Sequence, residues 1–521
     1  MFVVLALLAL LLGSYYRFPD LDLRPMHLDE AVLGTKYLDY RNAGHFDYDP
    51  ADYHGPTIHY LTHLTGMLLG WDDLDAMTGA DLRVVPAHCG IALLLLTLGL
   101  TDVLGRNGTV VAMLLAAVSP MQVFYSRYYI MEMFFVVCLM LLLVSLWRYH
   151  QSHAKRWLLL AGASLGLQHA TKETFVINIV AMVVAYGVAH LAAGGFTAQR
   201  SGLSYSFGSS RKASGRPLVW VILSALIVSV ALFSGGFRFW DDVVESFTTY
   251  ASYLKRSEGV GHEKPWHYYI NLIVWHRDRF LWTELAIVVL AALGMLRAFF
   301  GSFQKESHIK SFLIFLSVYT VLALAFYSAI PYKTPWTILS VQHTMILLAG
   351  AGAQGLYSAA KNRLARATIN VVLIAAIYHL CAQTMTTLND RGQANLNAPY
   401  VYSHTTTSAM QLVQRLRELS QLEPDSFHVE MVNRDSGWPL PWYLRDLSDK
   451  IHYQTTMPAT LSAPIVVVDW ELQETAQGLL GDRSYQSMVY GLRPGVNLAL
   501  MVEKTLWDKY QASKQPQTPR K

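Results

Sequence analysis

The chain has 521 residues, of which 53% are hydrophobic and 15% are charged. Because soluble domains carry about 25% charged residues, this composition excludes an ordinary soluble protein and indicates a polytopic membrane protein. The net charge is only +4 and the basic residues cluster in a few loops, so no nucleic-acid partner is expected. The three cysteines lie singly in or near apolar runs, which predicts neither a disulfide framework nor a zinc motif.

Apolar runs of membrane-spanning length recur from the first residues to about position 383. The first run lacks a basic n-region and a clear cleavage site, so we interpret it as a retained helix rather than a signal peptide. The hydropathy pattern predicts about eleven spans, at 2–16, 86–104, 107–123, 129–147, 157–170, 175–193, 218–236, 281–300, 311–330, 338–357 and 366–385.

The distribution of Lys and Arg among the loops predicts the topology. Lys and Arg concentrate in the loops after spans four, six, eight and ten, which the positive-inside rule places in the cytoplasm. The N-terminus is then cytoplasmic, and the chain is a multi-pass protein of the inner, or cytoplasmic, membrane. The first loop, 17–85, lies outside and includes a candidate interfacial helix in the segment TIHYLTHLTGMLLGW. The C-terminal segment also lies outside.

Chemically reactive side chains fall on the predicted outer side, in the segments HLDE, DYHGPTIHY, SRYYIMEM, ATKET, GHEKPWHYY and PYKTPW. Carboxylates of this kind can act as general bases, and Lys and Arg suit an anionic group such as a phosphate. Aromatic and His side chains suit a sugar. The candidate catalytic residues are Asp29, Glu30 and Glu132, and the candidate substrate-binding residues are His27, Tyr53, His54, Arg127, Lys172, Glu173, His262, Lys264, Trp266 and Lys333.

These residues also have non-functional interpretations. Charged residues in any one loop can be ordinary solvated charge, and the aromatic residues can form an interfacial belt. Asp29 and Glu30 are adjacent, so on a helix their side chains diverge by about 100°. Only one of them can point at a reacting atom, and the other would orient it or bind a partner.

The ordered set of outer motifs resembles the GT-C glycosyltransferases, nearest to the protein O-mannosyltransferase and aminoarabinose-transferase branch. More closely, YHGPTIHYL, TKETF, HEKPWHYY, PYKTPW and PWYLR resemble the bacterial and archaeal flippase-activity-associated membrane family, over roughly residues 1–450. The resemblance implies a polyprenyl-phosphate-linked sugar donor, an external acceptor and inversion at the anomeric carbon. It assigns Asp29 as the catalytic base, Glu30 and Glu132 to positioning sugar or acceptor, and Arg127, Lys172, Lys264 and Lys333 to the leaving phosphate.

From about Asn395 the composition becomes that of a soluble domain. TSAMQLVQRLREL and ELQETAQGLL are typical of helices, and FHVEMV, APIVVVD and NLALMVEK are typical of strands. We therefore predict a transmembrane domain at 1–390, an external α/β domain at 391–510 and a disordered tail at 511–521. The Trp-rich segment 435–446 is predicted to pack against the membrane domain, with glycan or acceptor recognition by Trp438 and Trp442 as the alternative.

Three functions compete at this point. The leading one is a glycosyltransferase that uses a polyprenyl-phosphate sugar and an external glycan, lipid or protein acceptor. The others are a lipid-linked-glycan flippase component and a non-catalytic scaffold of envelope-glycan assembly. No cofactor is assigned, although the outer acidic residues also suit a divalent ion.

Overall fold

The computed structural model describes residues 1–50, 54–192, 217–256, 262–277, 281–301, 303, 307–388, 398–434 and 437–514. Its N-terminal part is helical apart from one short hairpin. The helices are α1 (Phe2–Arg17), α2 (Leu28–Ala43), α3 (Thr57–Leu69), α4 (Gly79–Thr97), α5 (Thr101–Val118), α6 (Pro120–Ser126), α7 (Glu132–Ser152), α8 (Lys155–His169), α9 (Phe175–Ala192), α10 (Pro217–Phe233), α11 (Asp241–Arg256), α12 (Tyr268–Val274), α13 (Leu285–Phe300), α14 (Ser307–Ala329), α15 (Leu339–Ala359) and α16 (Arg363–Leu388). The hairpin strands are β1 (His276–Arg277) and β2 (Leu281–Trp282).

Many of these helices have membrane character. Within the described residues, five helical segments are long and apolar enough to cross a bilayer, and three shorter apolar helices accompany them. A helix lies at each of the eleven predicted spans. The described helices thus show a helical, multi-pass architecture, while the count of eleven crossings stays a prediction.

The boundaries of the third predicted span are wrong. Pro120 occupies the first turn of α6, where its missing N–H is tolerated, and the preceding helix therefore ends at Val118. The turn predicted between the second and third spans, at 105–106, is found at Gly105, whose φ of 72° is a conformation that glycine adopts without strain.

The segment 17–85, predicted to be the first external loop, contains the two helices α2 and α3. The segment predicted to be an interfacial helix forms α3, and it leaves Leu64, Met67 and Leu68 more than half exposed. The loop after α10 also contains helices, α11 and α12, which the sequence did not predict.

The C-terminal part contains a five-stranded mixed sheet. Its elements are α17 (Thr407–Leu422), β3 (Val429–Val432), α18 (Leu440–Tyr443), β4 (Ile451–Gln454), β5 (Ile465–Asp469), α19 (Gln473–Leu479), β6 (Tyr485–Arg493), β7 (Val496–Glu503) and α20 (Lys504–Lys514). The strand order is β4-β3-β5-β7-β6, parallel from β4 to β5 and antiparallel beyond. The central strand β5 is apolar on both faces because both faces are covered.

The three predicted strands and two predicted helices of this region all form. The predicted disordered tail begins too early, since α20 continues as a regular helix to Lys514. The remaining tail residues lie outside the described part of the chain.

The sheet region is joined to the first external loop by specific contacts. Tyr443 Oη accepts a hydrogen bond from the Met26 N–H at 2.7 Å, and Thr405 Oγ1 donates to the Met26 carbonyl at 2.7 Å. Trp442 is buried against Gly34 of α2, where a Cβ would approach its ring to 2.8 Å. The predicted packing of segment 435–446 against the membrane region is therefore confirmed, and burial of Trp442 contradicts a role for it in acceptor recognition.

Candidate active site

The site is organised around the first turn of α2. His27 is the N-cap residue, and its Nδ1 accepts a hydrogen bond from the Asp29 N–H at 3.0 Å. Glu30 reaches back so that its Oε2 accepts from the His27 N–H at 2.9 Å. These reciprocal bonds form a capping box, which fixes where α2 begins and how its first residues are oriented.

Glu30 also anchors α2 to the rest of the protein. Arg83 of α4 donates to both Glu30 oxygens, at 2.7 and 2.6 Å, and the Tyr129 N–H donates to Oε1 at 2.8 Å. Burial alone would raise the pKa of Glu30, but the Arg83 guanidinium outweighs it and lowers that pKa to about 2. Glu30 is a buried, permanently charged tether between α2, α4 and the segment before α7.

This tether determines the orientation of Asp29. Glu30 is completely buried, and its oxygens are occupied by protein donors, which contradicts its prediction as a catalytic residue that positions sugar or acceptor. Asp29 lies one residue earlier, about 100° around the helix, and its side chain is 39% exposed. Within the described residues, no side-chain or main-chain donor hydrogen-bonds to the Asp29 carboxylate, so it is held in place through its backbone and free to accept a proton.

His27 is held as a neutral imidazole. Burial lowers its pKa, and Nδ1 carries no proton because it accepts from the Asp29 N–H. Nε2 therefore carries the proton and donates it to the Tyr402 carbonyl at 3.0 Å. His27 Nδ1 and Asp29 Oδ2 are 3.7 Å apart, but with Nδ1 unprotonated they form no ion pair.

Neutral buried histidines predict a pH dependence of stability. Burial lowers the pKa of both His27 and His404, so below about pH 6.5 the unfolded chain takes up protons that the folded chain does not. The free energy of unfolding should fall by up to about 1.4 kcal/mol per pH unit for each group. Thermal unfolding followed by intrinsic fluorescence in detergent, between pH 8 and 5, measures this. His27→Asn keeps a capping acceptor without titrating, so its profile should be shallower; an unchanged slope would contradict the assignment.

The segment 400–404 reaches this site from far along the sequence. Tyr400 Oη donates to Glu284 at 3.0 Å, and the Tyr400 carbonyl accepts from Tyr125 Oη at 2.8 Å. Two residues on, the Tyr402 hydroxyl and His262 Nδ1 are 2.5 Å apart. This segment thereby connects the buried membrane region to His27 and His262.

Two of the predicted outer motifs are joined by main-chain pairing. The Lys264 N–H donates to the Pro331 carbonyl at 3.2 Å, and the Lys333 N–H donates to the His262 carbonyl at 3.1 Å. Lys333 is buried, and its Nζ donates to the Lys264 carbonyl at 3.0 Å and to the Ile330 carbonyl. Lys333 is thus committed to holding these loops together, which contradicts its predicted contact with a phosphate.

Lys264 is a cation of this loop pair that lies beside Tyr402. Its Nζ lies 5.8 Å from the centre of the Tyr402 ring and its side chain is only half-buried. Burial lowers the pKa of His262, the Asp29 charge opposes that change, and the Lys264 charge adds to it. His262 therefore lies within electrostatic reach of both Asp29 and Lys264.

Arg127 has a structural position. Its guanidinium donates to the carbonyls of Tyr16, Arg17, Pro19 and Asp20, at 2.6 to 3.2 Å, and so caps the C-terminal end of α1. This set of main-chain partners contradicts the predicted phosphate contact.

Lys172 and Glu132 form a buried ion pair, with Nζ and Oε1 2.6 Å apart. Because the Lys172 charge is balanced within the protein, its predicted contact with phosphate is not supported by this geometry. The neighbouring Glu173 instead pairs with His54, with Oε2 and Nδ1 2.7 Å apart. The segment that contains His54 packs tightly against the segment that contains Glu173, since a Cβ on Gly55 would lie 2.1 Å from the Ala170 carbonyl oxygen.

The remaining predicted residues are Trp266, Trp438 and Tyr53. Trp266 is 67% exposed and packs edge-on against His267. Trp438 is half-buried, and its carbonyl accepts from Arg493 at 3.3 Å. Tyr53 lies outside the described residues.

The sequence interpretation missed several contributors. Arg83 and Tyr402 are separated from α2 by long stretches of chain, and no local pattern marks them. Arg24 carried a signal, since it opens the same RPMHLDE stretch. Its guanidinium carbon lies 4.7 Å from the centre of the Phe124 ring and 5.7 Å from that of Tyr128. The Tyr128 ring also contacts His27, with ring centres 5.3 Å apart, so Arg24 places a cation close to the residue that caps α2.

Comparison with known proteins supports the fold. The family model of dolichyl-phosphate-mannose-protein mannosyltransferases matches residues 53–198. A search of curated proteins finds no match. The solved structure of ArnT from Cupriavidus metallidurans bound to undecaprenyl phosphate superposes with a TM-score of 0.61, over 97% of this chain and 98% of that one, at 13% identity. This chain has the GT-C fold.

A second GT-C structure gives the same result. The archaeal oligosaccharyltransferase AglB from Archaeoglobus fulgidus, in complex with an inhibitory peptide and a dolichol-phosphate, superposes with a TM-score of 0.53 at 13% identity. The match covers 98% of this chain and 77% of AglB. The predicted resemblance to the GT-C fold is confirmed. The closer resemblance to the flippase-activity-associated family stays a prediction.

Proposed function

We propose that this GT-C chain is a glycosyltransferase that moves a sugar from a polyprenyl-phosphate-linked donor to an external acceptor. The observation that carries the proposal is the Asp29 carboxylate, which is fixed by the capping box and the Glu30 tether, yet solvent-accessible and unpartnered among the described residues. A carboxylate held in this way has the properties of a general base. The lipid phosphates named with ArnT and AglB support the donor class.

In the proposed reaction Asp29 takes the proton of an acceptor hydroxyl as the oxygen attacks the anomeric carbon. The new bond forms from the face opposite the leaving group, so the configuration at that carbon inverts. The bond from the anomeric carbon to the phosphate oxygen breaks, and its electron pair leaves with polyprenyl phosphate. We assign Lys264, whose charge acts on His262 as that of Asp29 does, and Arg24, beside Phe124 and Tyr128, to stabilise the growing negative charge on that phosphate.

The proposed orientation follows from the basic loops. With the N-terminus in the cytoplasm, α2, α3 and the C-terminal sheet lie on the external face, and the donor reaches Asp29 from the outer leaflet. Among the described residues, no group of three or more His, Cys, Asp or Glu side chains is arranged to hold a metal ion.

The test uses the purified full-length chain in lipid nanodiscs. A panel of polyprenyl-phosphate sugars is supplied with candidate acceptors, and released polyprenyl phosphate and glycosylated product are quantified. We expect release coupled to transfer, with inverted configuration of the product by NMR. Product with retained configuration would exclude direct attack assisted by Asp29.

Lys264 gives a prediction for the phosphate site. Lys264→Met should lower kcat/KM for the donor by about 10-fold, because a charge-assisted hydrogen bond to phosphate is lost at a half-exposed position. Added salt should slow the wild type more than the variant, since the screened charge is gone. The matched control is Lys361→Met, at an exposed lysine of a distant loop. Equal salt dependence of wild type and Lys264→Met would contradict the assignment.

A further inference from the structure

A second polar cleft lies next to the Asp29 site. It is lined by residues of four segments, including Glu132, Lys172, Thr174, Tyr327, Trp336 and Ser340. The cleft is narrow: the space between its atoms is about 220 Å³ when the open solvent at its mouth is counted, and its enclosed part has room for about one water-sized group, such as a hydroxyl. Trp336 forms one wall, and its ring centre lies 6.0 Å from that of His27. The cleft therefore adjoins the residue that caps the Asp29 helix.

The polar end of the cleft contains an unsatisfied acceptor. Glu132 is 5% exposed, and its Oε1 accepts from Lys172 Nζ at 2.6 Å. Its other oxygen, Oε2, is buried, and no donor reaches it from the described residues. Because a buried carboxylate oxygen without a donor is costly, this atom indicates a missing hydrogen-bonding partner.

The chemistry of the pair restricts that partner. Glu132 Oε2 needs a donor, whereas Lys172 offers N–H donors beyond the one that Glu132 Oε1 takes. A phosphate or carboxylate has only acceptors and would face the Glu132 charge, and an ammonium would face the Lys172 charge. A hydroxyl both donates and accepts, so it complements an adjacent carboxylate and ammonium whose charges cancel.

The geometry points to this cleft as a subsite for a hydroxyl-bearing edge of an uncharged sugar, with Glu132 and Lys172 as its specificity-determining pair. The inference rests on the proposed function, because the sugar is that of the lipid-linked donor. Trp336 and Tyr327 line the same cleft and are themselves buried, so the cleft admits the hydroxyl while the sugar ring stays at its mouth. The subsite selects for an uncharged sugar that carries the contacted hydroxyl, and against uronic acids and amino sugars whose charge enters the cleft.

The test measures donor binding in the Asp29→Asn background, where the donor is not consumed. The probes are radiolabelled polyprenyl-phosphate hexoses and their singly deoxygenated analogues, captured on the full-length protein in nanodiscs. We expect one deoxygenated position to weaken binding by about 10-fold to 100-fold, the range for a hydrogen bond to a charged group. In the variant Glu132→Leu/Lys172→Met, the ratio of the Kd of that deoxygenated analogue to the Kd of the parent sugar should fall to near 1.

The double substitution is chosen because it removes both charges together and leaves no unpaired buried charge. Its matched control is Asp102→Leu/Arg148→Met, which removes an exposed ion pair with atoms 3.1 Å apart and should leave the ratio unchanged. A ratio that survives in the double variant overturns the subsite, as does weakening that is equal for every analogue. A donor that binds selectively but is never cleaved by the wild type would support the subsite and refute the transferase.

Discussion

Asp29→Asn should reduce sugar transfer by about 10²–10⁴-fold, the usual contribution of a general base, while the protein stays folded. The amide has the same shape but cannot take the acceptor proton. The capping box uses the Asp29 N–H and not its side chain, so the substitution leaves those contacts intact. The loss of transfer is measured as polyprenyl phosphate released per enzyme. The thermal unfolding midpoint of the same preparation shows whether the protein stays folded.

The matched control for this prediction is Asp22→Asn. Asp22 is an exposed aspartate of the same loop, outside the capped turn, and its substitution should leave turnover within about twofold of wild type. Equal release by Asp29→Asn and wild type would remove Asp29 from the chemistry. Loss of release in both variants would point to a general effect of loop charge.

Arg83→Met should cause the largest loss of stability, about 3–5 kcal/mol, because it leaves the buried Glu30 carboxylate without its counter-charge. Arg83 also donates to the carbonyls of Leu21, Arg24 and Pro25, so three main-chain acceptors lose their partner as well. We expect a marked fall in the thermal midpoint in detergent, or failure to recover monodisperse protein.

The comparison for Arg83→Met is Arg148→Met. Arg148 pairs with Asp102, but their side chains are 33% and 50% exposed, so this pair is worth about 0–1 kcal/mol. The two variants should differ by several kcal/mol in the free energy of unfolding. Equal midpoints would show that Glu30 is not the tether of α2.

Much of the architecture was predictable because the signals are local. Hydropathy predicted spans at eleven places, and a helix lies at each of them, since the bilayer requires long apolar segments. The apolar runs of β3, β5 and β7 predicted strands in the same way. The divergence of Asp29 and Glu30 followed from helical geometry alone, and the structure shows one of them buried and the other exposed.

The assignment of roles failed where it depended on distant partners. Arg83 is 53 residues from Glu30, and Tyr402 is 375 residues from His27, so no sequence pattern predicts these pairs. Arg127, Lys172 and Lys333 were assigned to phosphate by residue type. The fold supplies each of them with carbonyls or a carboxylate, and residue type alone cannot reveal that neutralisation.

We propose that the chain transfers a sugar and does not move a lipid across the bilayer. The most direct measurement uses sealed proteoliposomes with a fluorescent polyprenyl-phosphate sugar, following polyprenyl-phosphate release and the sidedness of the intact donor in the same sample. We expect one polyprenyl phosphate to be released for each sugar transferred, with no protein-dependent translocation of the donor. Translocation without release would contradict it and favour a flippase component.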